Sequence, residues 1–191
     1  MVRARRAAIA GLIRLARDLT EHRIDSEAVF DGNLLHVRRD NVRLPDGSHA
    51  TREYIVHPGA VLIIPLLDAK TVILERQFRY PGQRHFIELP AGKKEPGEDA
   101  LLTAQRELEE ETGYRATSWQ KLATTHPSVG YSNEHIDYFI ARDLTHVGAR
   151  LDEGEFLEVL AVKVDEALAW IKQGKITDVK TIAGLFWLAH L

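Results

Sequence analysis

The sequence predicts an α/β fold, a sheet packed between helices and preceded by a strand-rich extension. Three observations carry this. Short apolar and β-branched runs separated by turn residues occupy most of residues 24–91. One stretch of helical periodicity, residues 98–113, interrupts them, and further strands follow. Two helical segments then close the chain. Strands, a helix, strands and helices in that order make an α/β sandwich and not regular βαβ repetition.

At the N-terminus, Arg3, Arg5 and Arg6 precede the apolar residues 7–13, as at the start of a signal peptide. Arg14 and Arg17 close that run, and no convincing cleavage site follows. Ile9, Leu12, Ile13, Ala16 and Leu19 instead form a helical stripe. An amphipathic helix packed on the body or on a partner chain is expected, with a membrane-surface helix as the alternative. Residues 28–30 and 34–37 flank Asp31-Gly32-Asn33, a hairpin signal, and residues 42–44 and 54–56 flank a second turn, Pro45-Asp46-Gly47-Ser48. The nearly continuous apolar run 60–67 suits a strand buried on both faces. Residues 68–70 turn, residues 71–80 return as a strand, and residues 86–91 lead into the central stretch. Strands are expected at 115–126, 135–142 and 156–164. A helix opens at 164–166 and stops near Gly174. Thr177 or Asp178 caps a last helix, whose buried side is expected to carry Ile182, Leu185, Phe186 and Leu188. The extension, residues 1–56, and the main domain, 57–191, are expected as two domains.

Composition narrows the function classes. A chain of 191 residues holds one ordinary domain with an appendage and can bury a core without staples. It has no cysteine, which fits a reducing cytoplasm. A net charge of −3 argues against general nucleic-acid binding, and no apolar run is long enough to span a membrane. The nine histidines show no ligand spacing such as HExxH, so no zinc site is expected.

The chemistry concentrates in residues 92–114, GKKEPGEDALLTAQRELEEETGY. Gly92, Pro96 and Gly97 keep its first part non-helical. Glu98 and Asp99 stand where acids favour a helix N-terminus, and Gly113 is a natural stop. Ala100, Leu101, Ala104 and Leu108 form the apolar stripe. Glu107, Glu110 and Glu111 share the other face, three and four residues apart. Like charges that close repel, and a hard divalent cation would turn the cost into binding. Arg106 can take part of the negative charge. A bare acidic cluster is more often a solvated face.

The full spacing resembles the Nudix box: Gly92, Glu98, Arg106, Glu107, Leu108, Glu110, Glu111 and Gly113 fill its fixed positions. The final position, usually aliphatic, is Tyr114, which bears on packing. The flanks resemble the ADP-ribose pyrophosphatase branch: residues 52–61, the strand 75–81, Glu88-Leu89-Pro90-Ala91-Gly92, Pro127 and residues 130–134. This resemblance implies a mixed sheet between helices, with the box as loop, helix and loop. It implies Mg²⁺, with Mn²⁺ as a possible substitute, held by Glu107, Glu111, Glu110 and the Ala91 carbonyl. Gly92, Glu98, Arg106 and Gly113 would be structural. The base would lie on a late loop, with Glu153 the first choice and Glu155 the second, and an exposed loop acid is the alternative for each. Arg52 and Arg79 would hold substrate phosphate or ribose, against the alternative of surface ion pairs. Glu53 would contact substrate, and Glu134 would contact substrate or order its own loop. Phe30 or Tyr54 could stack on adenine, with a core position as the alternative for each. Lys93 and Lys94 could draw in an anion, and His126 could line the pocket, although a solvated or structural role is the simpler reading for these three. Branch members are typically dimers whose N-terminal strands complete the adenine site, so a cytoplasmic homodimer is expected.

The resemblance thus implies hydrolysis of the diphosphate of ADP-ribose or a related ADP-sugar to AMP and a sugar phosphate, by metal-activated water. The alternatives are a Nudix hydrolase for GDP-mannose, a dinucleoside polyphosphate or an oxidised nucleotide, and a binding module without catalysis.

Overall fold

The structure is a computed structural model that describes residues 18–191 except 152, 153 and 155. The helix expected at the N-terminus lies outside the described residues; Leu19, the end of its stripe, is exposed and outside any helix. Glu153 and Glu155 also lie outside them. The chain divides into two compact units, one ending at Val56 and the other His57–Leu191.

The first unit is an antiparallel meander of β1 (His22–Asp31), β2 (His36–Arg43) and β3 (His49–Val56). Leu44 and Ser48 close the second hairpin, with Gly47 at a φ of 85° that an L side chain rarely adopts. Every residue of β1 is exposed. Charge pairs cross the strands in place of a thick core: Arg39 binds Glu53 at 2.8 Å and Glu27 at 3.1 Å, and Asn41 donates to Asp25. Phe30 is exposed, whereas Tyr54 is half-buried and donates to Asp40.

The second unit is the sandwich. Its sheet runs β10 (Leu157–Lys163), β5 (Thr71–Arg79), β4 (Ala60–Asp68), β9 (Ile136–His146), β8 (Tyr114–Thr125). The sheet is mixed, because β4 and β9 pair in parallel while its other described pairs are antiparallel. β4 and β5 pair only near their shared turn and then diverge. Into the opening come β6 (Arg84–Glu88) on β5 and the three-residue β7 (Ala91–Lys93) on β4. This splay brings the glycine loop to the centre of the sheet.

Alternation along β4 explains its unbroken hydrophobicity. Val61 and Ile63 face α1 (Ala100–Thr112), meeting Ala104 and Leu108. Leu62, Ile64 and Leu66 face the other layer, α2 (Val164–Lys172) and α3 (Val179–Leu188), meeting Ala167 and Leu185. A strand with both faces covered has no polar side.

The helix ends have local causes. Asp99 is the N-cap of α1, accepting from the Leu101 and Leu102 N–H groups, and Glu98 precedes the helix. Gly113 ends it at φ 73°, and a Cβ there would stand 2.5 Å from the Ala149 nitrogen, so glycine is required twice over. Asp178 caps α3 by accepting from Thr181 N–H. The expected buried side of α3 needs one correction: Phe186 is 46% exposed, and Thr181, Gly184 and Leu185 are the buried residues. Small residues let the helix come close, since a Cβ on Gly184 would lie 2.7 Å from Leu89. The polar Thr181 is buried for its hydroxyl, which accepts from Leu89 N–H at 2.8 Å.

Candidate active site

The glycine loop and α1 meet at Gly92 and Glu107. A Cβ built on Gly92 would fall 1.9 Å from the Glu107 carboxyl carbon, so the loop is shaped around that carboxylate. Glu111, nearly buried, accepts from Ala91 N–H at 3.2 Å. Two of the three box glutamates therefore touch the Ala91-Gly92 loop directly.

Arg106 organises the remaining charge. Its Nη1 lies 3.0 Å from Glu107 and 2.9 Å from Glu110, and its Nε and Nη2 donate to Glu98 at 3.2 and 3.3 Å. Its Nη2 also reaches the Lys93 carbonyl. The Glu98 carboxyl is lowered to about 2, first by Arg106 and then by the Glu95 N–H it accepts from. Arg106 is pushed above its ordinary value, chiefly by Glu98.

Among the described residues no three acids or histidines converge on one point as they stand. The donor set nevertheless fits a hard divalent cation: carboxylate oxygens on one helix turn, with the guanidinium of Arg106 already supplying positive charge between two of them.

A second charged group lies beside the loop. Glu88, almost fully buried, accepts from Arg79 Nε at 2.9 Å and Nη2 at 3.0 Å and also pairs with Lys180. Burial works against the Glu88 charge, but Arg79 and Lys180 outweigh it and its pKa is lowered. Asp178 holds Lys180 from the other side at 3.0 Å. Arg79 feels the charges of Glu75, buried opposite Glu88 in the β5–β6 register, and of Glu111. The fork to Glu88 uses Nε and Nη2 of Arg79, and Arg79 lines the wall of a cleft of about 240 Å³. His57, Ala91, Gly92, Lys93, Glu134 and Lys180 share that wall.

The structure thus brings together Ala91, Gly92, Glu98, Arg106, Glu107, Glu110 and Glu111, with Arg79 and Glu134 at the adjoining cleft. Arg52 and Glu53 belong to the first unit, where Arg52 forks onto Glu21 and Glu53 pairs with Arg39. Lys180, His57 and Glu88 were missed by sequence reasoning. His57 and Glu88 enter the sequence reading only as members of the flanks 52–61 and 88–92, and Lys180 lies in a helix read for its apolar stripe, so none of the three carried a sign of a site role.

The mixed sandwich and the acid-bearing helix face behind a glycine loop define the class, a Nudix-fold hydrolase. Comparison with known families agrees: the NUDIX domain matches residues 56–184, and the nucleoside diphosphate sugar hydrolase N-terminal domain matches residues 21–55. The chain belongs to the Nudix family. It is 38% identical over 170 residues to a methanol dehydrogenase activator of Bacillus methanolicus, covering 88% of this chain and 92% of that one. It is 37% identical over 174 residues to an ADP-ribose pyrophosphatase of Bacillus subtilis, covering 90% and 94%. Its fold is shared by the crystal structure of an ADP compounds hydrolase, with TM-score 0.81, 22% identity, and 92% and 95% of the two chains covered.

Proposed function

We propose that the protein hydrolyses the diphosphate of ADP-ribose, or of a closely related ADP-sugar, to AMP and a sugar phosphate in the presence of Mg²⁺. The observation that carries this reading is the cleft at the loop, where Arg79, Lys93 and Lys180 stand beside the carboxylates of α1. Cationic side chains suit the diphosphate, and the neighbouring acids suit the cation that such a substrate brings or meets. The relationship to the Bacillus subtilis pyrophosphatase supports the choice of ADP-ribose over GDP-mannose.

In this reading Glu107, Glu110, Glu111 and the Ala91 carbonyl hold the metal, with Mn²⁺ able to substitute. A divalent cation bound there supplies charge neutralisation and a water of lowered pKa. The chain's residues do the rest. Arg106 holds Glu98, Glu107 and Glu110 in place through its three contacts. Arg79, fixed by Glu88, presents Nη1 to a phosphate oxygen without having to be ordered on binding. Glu153 takes the proton from the attacking water, with Glu155 as second choice. Support for a late-loop base comes from the chain just before it: Val147 and Gly148 N–H donate to the Gly113 carbonyl and Arg150 N–H to the Glu110 carbonyl, so that loop departs from the end of α1. Arg52 and Glu53 contact the substrate, and the first unit mediates a cytoplasmic homodimer. Ile24, Val29, Phe30, Leu34 and Leu35, all exposed, support this role.

The test is product analysis. Purified protein is incubated with Mg²⁺ and ADP-ribose, ADP-glucose, GDP-mannose, NADH and diadenosine polyphosphates. Fast conversion of ADP-ribose to AMP and ribose 5-phosphate, abolished by EDTA, is the expected result. Faster turnover of GDP-mannose or a dinucleotide would overturn the substrate, and no turnover of any of them with either metal would overturn the catalytic reading.

A further inference from the structure

His57 opens the second unit one residue beyond β3, and its ring is half-buried at the wall of the active cleft. Its Nδ1 accepts a hydrogen bond from the Gly59 N–H at 3.1 Å. A ring nitrogen that accepts cannot carry the proton of a neutral imidazole, so the proton sits on Nε2. The imidazole is held neutral: burial, first, and the charges of Lys93 and His135 lower its pKa, against the opposing pull of Glu134. The backbone fixes the ring further. His57 N–H donates to the Asn133 side chain at 2.7 Å, and Gly59 turns at φ 96° with no room for a Cβ against His135. Nε2–H is the ring's other polar group, and among the described residues it makes no hydrogen bond.

Glu134 lines the same cleft, with its backbone N–H donating to Ser132 and its carboxylate close enough to act on His57 electrostatically. The cleft therefore offers a fixed neutral donor and an anionic acceptor side by side, next to the cations Arg79, Lys93 and Lys180. Phosphate has no hydrogen to donate and repels a carboxylate. A hydroxyl both donates and accepts, and it matches a donor–acceptor pair. The volume agrees: about 240 Å³ is below the roughly 300–1,000 Å³ of pockets that enclose a drug-sized ligand, so the cleft takes a part of the substrate and not the whole.

We propose that His57, through Nε2–H and together with Glu134, recognises a hydroxyl of the sugar on the far side of the diphosphate and so sets specificity for a nucleoside diphosphate sugar. This rests on the hydrolase reading above but is separable from it. The experiment uses two substitutions that divide the ring. In His57→Asn the amide oxygen replaces Nδ1 as the acceptor for Gly59 and the Nε2 donor is lost. In His57→Gln the amide nitrogen reaches the Nε2 position and the Nδ1 acceptor is lost. For ADP-ribose, His57→Asn is expected to raise KM about tenfold with kcat within about twofold, the worth of one neutral hydrogen bond, and His57→Gln to stay within about threefold of wild type. Inhibition by ADP, which has no second sugar, should be unchanged in both.

Three results would overturn the proposal. A damaged Gln variant beside a normal Asn variant would confine His57 to holding the Gly59 turn. Equal effects in the two variants, large or nil, would deny the donor any role in specificity. An equal loss of ADP inhibition would move the contact to phosphate. If the wild type does not cleave ADP-ribose at all, the substrate reading fails. The same comparison on whichever nucleoside diphosphate sugar it does cleave then tests His57 on its own.

Discussion

At the scale of single residues, the glycine loop and the box helix make one object. Gly92 is glycine because Glu107 occupies the space where a Cβ would be. In Gly92→Ala the movable end of Glu107 must give way while the backbone can stay, since Gly92 is not among the positive-φ residues. The variant should unfold within about 1 kcal/mol of wild type, the range for a change without cavity or strain, yet lose turnover by about a hundredfold or more. Urea unfolding and kcat measured together check this. Glu107→Gln and Glu111→Gln should lower turnover similarly, with Mn²⁺ binding weakened by calorimetry and the fold intact by circular dichroism. Near-wild-type activity in either at saturating Mg²⁺ would remove that residue from the metal site. The spacing of these acids was legible because a helix turn repeats a short interval. That Arg106 reaches Glu98, Glu107 and Glu110 at once was not, since Glu98 lies before the helix and only the loop's path brings it back.

At the scale of elements, α3 and the segment entering the box are joined by the Glu88–Lys180 pair and by a second polar contact, Leu89 N–H to the buried Thr181 hydroxyl. Thr181→Val keeps the shape and orphans that N–H, which should cost about 1–3 kcal/mol in denaturant unfolding. Thr181→Ser keeps the acceptor and should cost less. If Val and Ser are equally stable, the hydrogen bond contributes nothing. The strands of the sheet were readable from apolar runs and turns, because a strand buried on both faces leaves an unbroken signature, as in β4. The splay of β4 from β5 was not readable. It depends on β6 and β7 entering between them, a long-range pairing with no local mark in a segment as short as Ala91–Lys93. Phe186 was misassigned for a related reason. Helical spacing gives a stripe, but the close approach at Gly184 rotates the buried side toward Thr181 and Leu185.

At the scale of the whole molecule, charge pairing sets the acid limit. The Glu98 carboxyl, at about 2 in the folded protein, stands below its ordinary value of 4.5, so its contribution is complete above about pH 4.5 and is lost as the pH falls toward 2. Glu88 and Asp137 are lowered in the same sense. The urea midpoint should therefore fall with acid through that window, and Glu98→Gln should flatten the slope; an unchanged slope would deny Glu98 a share. The proposed homodimer is tested by sedimentation: a chain starting at His57 should run as a monomer if the first unit carries the interface, and as the full-length species if it does not. The pairing of β4 has one more consequence, in time and not in energy. β9 covers one edge of β4, while β7, the Pro90 carbonyl and β5 succeed one another along the other. Amide protons of Leu62, Ile63 and Ile64 can then meet solvent deuterium only when the whole unit opens, whereas the exposed strand β1 exchanges through local fraying. In a single deuteration experiment, the slowest clock in the molecule would tick at the strand beside the chemistry.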